Sequence, residues 1–210
     1  MQDRPEIPED AFSAILEELQ RKPLAVNAYR KKSGEGRSQA FGVVNRRCLP
    51  PDYSRQCWQR PYLYKLLLDF AAKYVDISYN AITVNQNYQA APHYDRGNVG
   101  DSFLVAFGPY SGGNLKLHQG PSLEVKDIRH KPIVGNFSTT LHSVEPFQGS
   151  RYSLVFYTLR NTPALPPPSV VQEGGIWRFK RGEETITRGL PHPLQRGLQK
   201  EQKRVEIRFE

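Results

Sequence analysis

The sequence predicts an α+β protein in which N-terminal helices cover an antiparallel sheet or barrel, and three observations predict it. Apolar residues recur at helical spacing in two segments before residue 78. From Asn80 onward the hydrophobic period falls to two, and Gly, Pro and Asn break that second regime into short pieces. Helices first and strands after is the order expected when helices pack on one face of a sheet.

The first helix is read from "PEDAFSAILEELQRK", which opens on Pro8 and acidic residues and then sets Ala11, Phe12, Ile15, Leu16 and Leu19 on one stripe. "RPYLYKLLLDFAAKY" repeats the pattern with Tyr62, Leu66, Leu67, Phe70 and Tyr74. Between them "KKSGEGRSQA" reads as a polar, Gly-containing loop. "AITVNQNY", "SFLVAFG", "NLKLH", "SLEVK" and "RYSLVFYT" read as strands. The Pro-rich "NTPALPPPSVVQEGG" closes this central unit; beyond it "IWRFK" and "RVEIRFE" read as short strands, and "RGLPHPLQRGLQKEQKR" as a basic loop or short helix. There is no internal repeat. The 210 residues are expected to form one domain: helical support over 1–78, a strand core over 79–158, and a Pro-rich, basic extension over 159–210.

The net charge is +8, and its distribution is uneven: +3 over residues 1–60, +1 over 61–158 and +4 over 159–210. A nearly neutral centre between basic flanks suits a protein that draws a polyanion toward a reaction site, although most basic surfaces are only solvated ones. Arg30, Lys31 and Lys32, then Arg46 and Arg47, then Lys203 and Arg204 are the clusters. Two cysteines, Cys48 and Cys57, cannot build a disulfide framework and form no C-x-x-C pair, so reduced thiols are expected. No apolar run is long enough to cross a bilayer and the first ten residues are acidic, so a soluble, intracellular protein with no membrane partner is expected.

The chemistry gathers around "APHYDRGNVGDSF". In a strand, residues i and i+2 share a face, so His93 and Asp95 can both reach one point while Tyr94 turns away. Two histidines and one carboxylate on one side of an octahedral ion leave positions open, an arrangement suited to non-haem Fe(II). The candidates for the second histidine are His118, His130, His142 and His192. His142 is preferred because of the segment that leads away from it. After a turn at Pro146–Gly149 the chain returns as an alternating strand that puts Arg151, Ser153 and Val155 on one face, and a guanidinium beside a hydroxyl makes a carboxylate clamp.

With these residues in hand, the chain resembles the Fe(II)- and 2-oxoglutarate-dependent dioxygenases, whose pattern is H-x-D, a distal H, then R-x-S about ten residues later. The resemblance covers about residues 79–158, and "GPYSGGNLKL" is similar to the family's Gly-Gly strand entry. It implies a double-stranded β-helix, or jelly roll, with the N-terminal helices packed on one sheet. It also implies Fe(II) at His93, Asp95 and His142, 2-oxoglutarate at Arg151 and Ser153, and O2 as oxidant, with succinate and CO2 as products. Asn85, Asn87 and Tyr88 resemble the N-x-Y run that contacts the cosubstrate in several members. A structural zinc site would need more cysteine. The cupin H-x-H pattern is absent, and the jumonji group takes the cosubstrate carboxylate on a lysine.

Asn98 stands three residues after Asp95, which resembles the H-x-D-x-x-N run of the TET/JBP-like group that oxidises 5-methylcytosine or thymine in DNA. A carboxamide offers a flipped base both a donor and an acceptor; a turn residue is the plainer role for Asn98. The cysteine-rich extension of animal members is missing, so a minimal core is implied. Nucleic acid, DNA in particular, is therefore the expected partner. Prolyl-type hydroxylation of a protein side chain is the alternative, because prolyl hydroxylases share the order of motifs, and a non-catalytic nucleic-acid-binding module is a third. Tyr94 and Arg96 are expected to border the pocket opening. His118 and His130 are expected at the surface beside hairpin turns. Trp177, Arg178, Phe179 and Lys180 interleave aromatics with cations, as a stacking surface or, more commonly, as a strand with its aromatics on the core.

Overall fold

The computed structural model describes residues 1–25, 34–46, 49–119, 122–163, 165, 167–182 and 184–185. In chain order the elements are β1 (Gln2–Asp3), α1 (Ser13–Arg21), β2 (Gly34–Arg46), β3 (Leu49–Tyr53), α2 (Arg55–Gln59) and α3 (Pro61–Tyr74). Then come β4 (Ala81–Ala90), β5 (Asn98–Phe107), β6 (Tyr110–Gly112), β7 (Leu115–Gln119), β8 (Ser122–Lys126) and β9 (Ile133–Gly135). The chain continues through β10 (Leu141–Val144), β11 (Phe147–Gly149), β12 (Tyr152–Leu159), β13 (Pro168–Glu173), β14 (Ile176–Arg181) and β15 (Glu184–Thr185).

The described strands form a major sheet in the order β1-β9-β5-β12-β4-β2-β3, a minor sheet β10-β7-β8, the β6–β11 pair and a β13-β14-β15 sheet. Pairing within them is antiparallel. The fold is an α+β jelly roll, with helices on one face of the major sheet. No described helix is long and apolar enough to cross a membrane.

Period-two alternation decides what each face holds. Ile82 and Val84 of β4, Phe103, Val105 and Phe107 of β5, and Leu154 and Phe156 of β12 join one cluster with Phe12, Leu19, Leu67 and Phe70 from the helical segments. Stacked rings tie the layers: Phe12 to Phe107 at 4.9 Å and Phe70 to Phe156 at 6.0 Å. On the opposite face Leu104 and Ala106 meet Leu115, Leu117 and Phe137 in a smaller apolar cluster. Beyond it the inner face turns polar.

The strands expected from "AITVNQNY", "SFLVAFG", "NLKLH", "SLEVK" and "RYSLVFYT" are present as β4, β5, β7, β8 and β12, and both long amphipathic segments contain helices, the first entered through a 3-10 turn at Glu9–Phe12. The segment expected as a loop is different. Its described part, from Gly34, begins β2, which pairs with β4 along most of its length. Gly36 and Gly42 sit at φ +116° and +76°, and a Cβ on Gly42 would lie 2.5 Å from the Asn80 carbonyl oxygen. Glycine here permits close strand contact; it does not mark a loop. Residues 1–78 thus supply β1, β2 and β3, three strands of the major sheet, as well as helices.

In the C-terminal part the Pro-rich stretch contains β13, which turns at Gly174–Gly175 into β14. Phe179 is buried against Tyr53, Trp58 and Tyr64, and Trp177 packs on Tyr62 at 5.3 Å, so these aromatics serve packing. His130 is half-buried, stacked on Phe12 at 5.1 Å, and His118 is half-buried with Nε2 3.2 Å from the Ser143 hydroxyl; neither is the surface residue expected. Cys57 is a free, buried thiol that burial pushes up to about 12. Arg30–Lys32, Arg47, Cys48, His192, Lys203, Arg204 and the segments "RGLPHPLQRGLQKEQKR" and "RVEIRFE" lie outside the described residues.

Candidate active site

His93 and Asp95 lie in the loop between β4 and β5, not in a regular strand as expected. The loop is nonetheless pinned. His93 and His142 form an antiparallel bridge in which each N–H donates to the other's carbonyl at 3.0 Å, and the Asp95 amide donates to the Phe137 carbonyl at 2.9 Å. Backbone pairing therefore brings the two histidine rings together, with centroids 4.2 Å apart and planes tilted by 48°.

Their tautomers follow from their neighbours. His93 Nδ1 lies 2.8 Å from the Ala91 carbonyl oxygen and His142 Nδ1 lies 3.0 Å from that of Thr140. A carbonyl only accepts, so each Nδ1 carries the proton and the lone pair of each imidazole sits on Nε2. His93 Nε2 is 3.5 Å from Asp95 Oδ1 and His142 Nε2 is 4.0 Å from Asp95 Oδ2. The three donors cluster within 4.8 Å of one another, a group that could hold a metal ion. Burial holds His142 below the ordinary histidine range and nearby His93 acts the same way, which keeps the imidazole neutral, as a ligand must be.

Arg151 enters β12 with only 2% of its surface exposed. Its Nε donates to the Gly113 carbonyl at 3.1 Å, and its guanidinium lies 5.4 Å from the Tyr110 ring and 5.9 Å from that of Phe147. No carboxylate among the described residues forms an ion pair with it, and desolvation lowers its pKa. Gly113 is required beside it: at φ +68° a Cβ would lie 2.8 Å from Arg151 Cδ. Ser153, two residues on, is buried and accepts from Asn85 Nδ2 at 3.1 Å across the β4–β12 register.

A cavity of about 370 Å³ unites the metal-ligating group, Arg151, Ser153 and Asn98. Asn85 and Tyr88 also line it, whereas Asn87 does not. Asn87 is held at φ 50°, accepts the Arg151 N–H on Oδ1 at 2.9 Å and donates its own N–H to the Arg151 carbonyl at 2.7 Å. Its amide is thereby committed to fixing the Arg151 backbone. Asn98 is buried at the start of β5, with Nδ2 3.5 Å from Asp95 Oδ2. Tyr94, 41% exposed, borders the opening with the Arg96 guanidinium 5.7 Å from its ring centroid. Two hydroxyl-bearing cavity residues escaped the sequence reading: Thr83 and Tyr157, whose oxygens lie 3.1 Å apart. Tyr157 continues the Arg151, Ser153, Val155 series, so the alternation itself was the available signal.

No family model matches the chain, and no curated protein matches it in sequence. Solved structures do. NgTET1 in complex with 5mC DNA is 15% identical, with 73% of this chain and 69% of that one covered and a TM-score of 0.50. A prolyl-4-hydroxylase from Pseudomonas putida is 15% identical over 76% of this chain and 92% of that one, TM-score 0.48. An oxidoreductase of the 2OG-Fe(II) oxygenase family from Burkholderia pseudomallei is 18% identical over 72% and 80%, TM-score 0.49. The chain shares its overall fold with NgTET1. The likeness is one of fold, and the chemistry rests on this chain's own residues. Two imidazoles with fixed tautomers and one carboxylate fit Fe(II) with positions left open for a chelating cosubstrate and O2. The buried Arg151, unmatched by a carboxylate among the described residues, fits the far end of 2-oxoglutarate.

Proposed function

We propose that this chain is an Fe(II)- and 2-oxoglutarate-dependent dioxygenase that hydroxylates a C–H bond of a nucleic-acid base of the 5-methylcytosine or thymine type, releasing succinate and CO2. The observation that carries the reaction class is the buried guanidinium of Arg151 in the same cavity as His93, Asp95 and His142. A lone buried cation is costly unless something anionic joins it, and a diacid cosubstrate is that partner. Bound Fe(II) with O2 would supply the oxidising power, coupled to decarboxylation of 2-oxoglutarate.

The chain's residues divide the remaining work. His93, Asp95 and His142 hold the metal on one side of the cavity, and their Nδ1 contacts fix the direction of the two Nε2 lone pairs. Arg151 and Ser153 take the distal carboxylate; Asn85 orients the Ser153 hydroxyl, Asn87 sets the Arg151 backbone, and Tyr88 walls the cavity. The buried position of this end excludes water and strengthens the charge-assisted bonds.

Three features favour a base as substrate. Asn98 keeps an N–H and a carbonyl oxygen for a base edge beyond its long contact to Asp95. Tyr157 and the exposed Tyr94 offer aromatic surface, and Arg96 adds a cation at the opening. The basic flanks would draw a polyanion in. NgTET1, the neighbour with a TM-score of 0.50, was solved with 5mC DNA. The test is incubation with Fe(II), 2-oxoglutarate and O2 alongside methylated DNA or proline-containing peptides, following succinate and the mass of each substrate. Oxidised base with matching succinate is expected. Product in the peptides alone overturns the base reading in favour of a side-chain hydroxylase, and no succinate with any substrate overturns the enzyme.

A further inference from the structure

The active-site cavity shares one lining residue with a second hollow. Leu159, the last residue of β12, lines it and also lines a second cavity of about 630 Å³, which Asn98's neighbour Val99 borders as well. Tyr79, Thr158, Thr162 and Pro163 contribute further walls, and none of the described side chains lining it is charged. Tyr79 is braced edge-on against Phe156 at 5.2 Å, while Val99 is 46% exposed. The two hollows differ in chemistry. The first carries the metal-ligating group and a buried cation; the second is neutral, with tyrosine, proline and hydroxyl surface.

Arg160 stands beside the shared wall. Its backbone N–H donates to the Gly97 carbonyl at 2.9 Å and its Nη2 to the Asn98 carbonyl at 3.4 Å, which draws the guanidinium to the turn carrying Asp95 and Asn98. The residue is exposed, and no carboxylate among the described residues pairs with it. Arg96 is exposed on the same turn. Two hollows flanking an exposed cation match a chain whose units are joined by an anionic link. A phosphodiester has that link, and a peptide bond does not.

We propose that the second cavity is a subsite for the nucleotide adjacent to the one oxidised, with Arg160 holding the phosphate between them. This rests on the nucleobase reading above. Neutral aromatic and proline walls accept any base by stacking. The subsite therefore adds affinity with little sequence preference, and the phosphate contact makes that affinity salt-dependent.

The test measures binding of a 5-methyldeoxycytidine nucleoside, a dinucleotide containing it, and the same dinucleotide with an uncharged methylphosphonate link, to protein loaded anaerobically with Fe(II) and 2-oxoglutarate. The phosphodiester dinucleotide is expected to bind roughly tenfold tighter than the nucleoside and to lose part of that gain with the uncharged link. In Arg160→Gln the distinction between the two links vanishes and the slope of log affinity against log salt falls by about one. Arg160→Lys restores part of both. Val99→Trp, which fills the mouth of the second cavity, removes the gain of dinucleotide over nucleoside. A dinucleotide that binds no tighter than the nucleoside, or a link preference that survives in Arg160→Gln, overturns the subsite while base oxidation still stands. Turnover of peptides with no binding of any nucleotide removes both readings together.

Discussion

The two faces of the major sheet are made by the same strands and do opposite things. On the helix side Ile82, Val84, Phe103, Leu154 and Phe156 are at most 1% exposed and belong to the main hydrophobic core. On the cavity side Thr83, Arg151, Ser153 and Tyr157 are nearly as buried, yet every one is polar. Most of the polar face is paired internally, Asn85 with Ser153 and Thr83 with Tyr157. Arg151 is the exception, since its charge has no counter-ion among the described residues. One face therefore carries stability, and the other spends some of it on a site that only a ligand completes.

Mutations on either face sharpen this contrast. The largest effect is expected from Phe156→Ala, which opens a void under α3 and should lower unfolding free energy by about 3–5 kcal/mol in denaturant titration. The affinity of the surviving folded protein for 2-oxoglutarate should hardly change. His93→Ala should do the reverse, cutting succinate formation more than about a hundredfold while leaving the melting temperature of metal-free protein close to wild type. Arg151→Gln should weaken 2-oxoglutarate by about 1.5–3 kcal/mol, the worth of charged hydrogen bonds. In calorimetry without cosubstrate the same variant should be as stable as wild type or more so, because it removes an unpaired buried charge. Ser153→Ala should cost the least, about 1 kcal/mol in cosubstrate binding, read as a several-fold rise in KM for 2-oxoglutarate with kcat nearly unchanged. A loss of stability from Arg151→Gln equal to that from Phe156→Ala would erase the distinction between the faces.

What was legible in the sequence was whatever local periodicity and spacing encode. β4, β5 and β12 announce themselves by alternation, and His93, Asp95, His142, Arg151 and Ser153 by order and separation. Long-range features stayed hidden. The start of β2 was disguised by Gly36, whose left-handed backbone lets the strand crowd its neighbour and looks in sequence like a loop. Asn87 carries the same residue type that could bind cosubstrate, and only its φ of 50° and its two bonds to the Arg151 backbone place it outside the cavity. Thr83 and Tyr157 read as ordinary strand formers because their pairing spans β4 and β12. The packing of Phe179 on α2 and α3 depends on a hairpin returning over distant helices, for which local sequence carries no signal.

The most direct measurement is anomalous diffraction at the iron edge from crystals grown anaerobically with Fe(II) and 2-oxoglutarate. A single peak bounded by the Nε2 atoms of His93 and His142 and the carboxylate of Asp95 is expected, with the diacid reaching from it to the Arg151 guanidinium. Iron bound elsewhere, or a diacid whose far carboxylate leaves Arg151 untouched, would contradict the account.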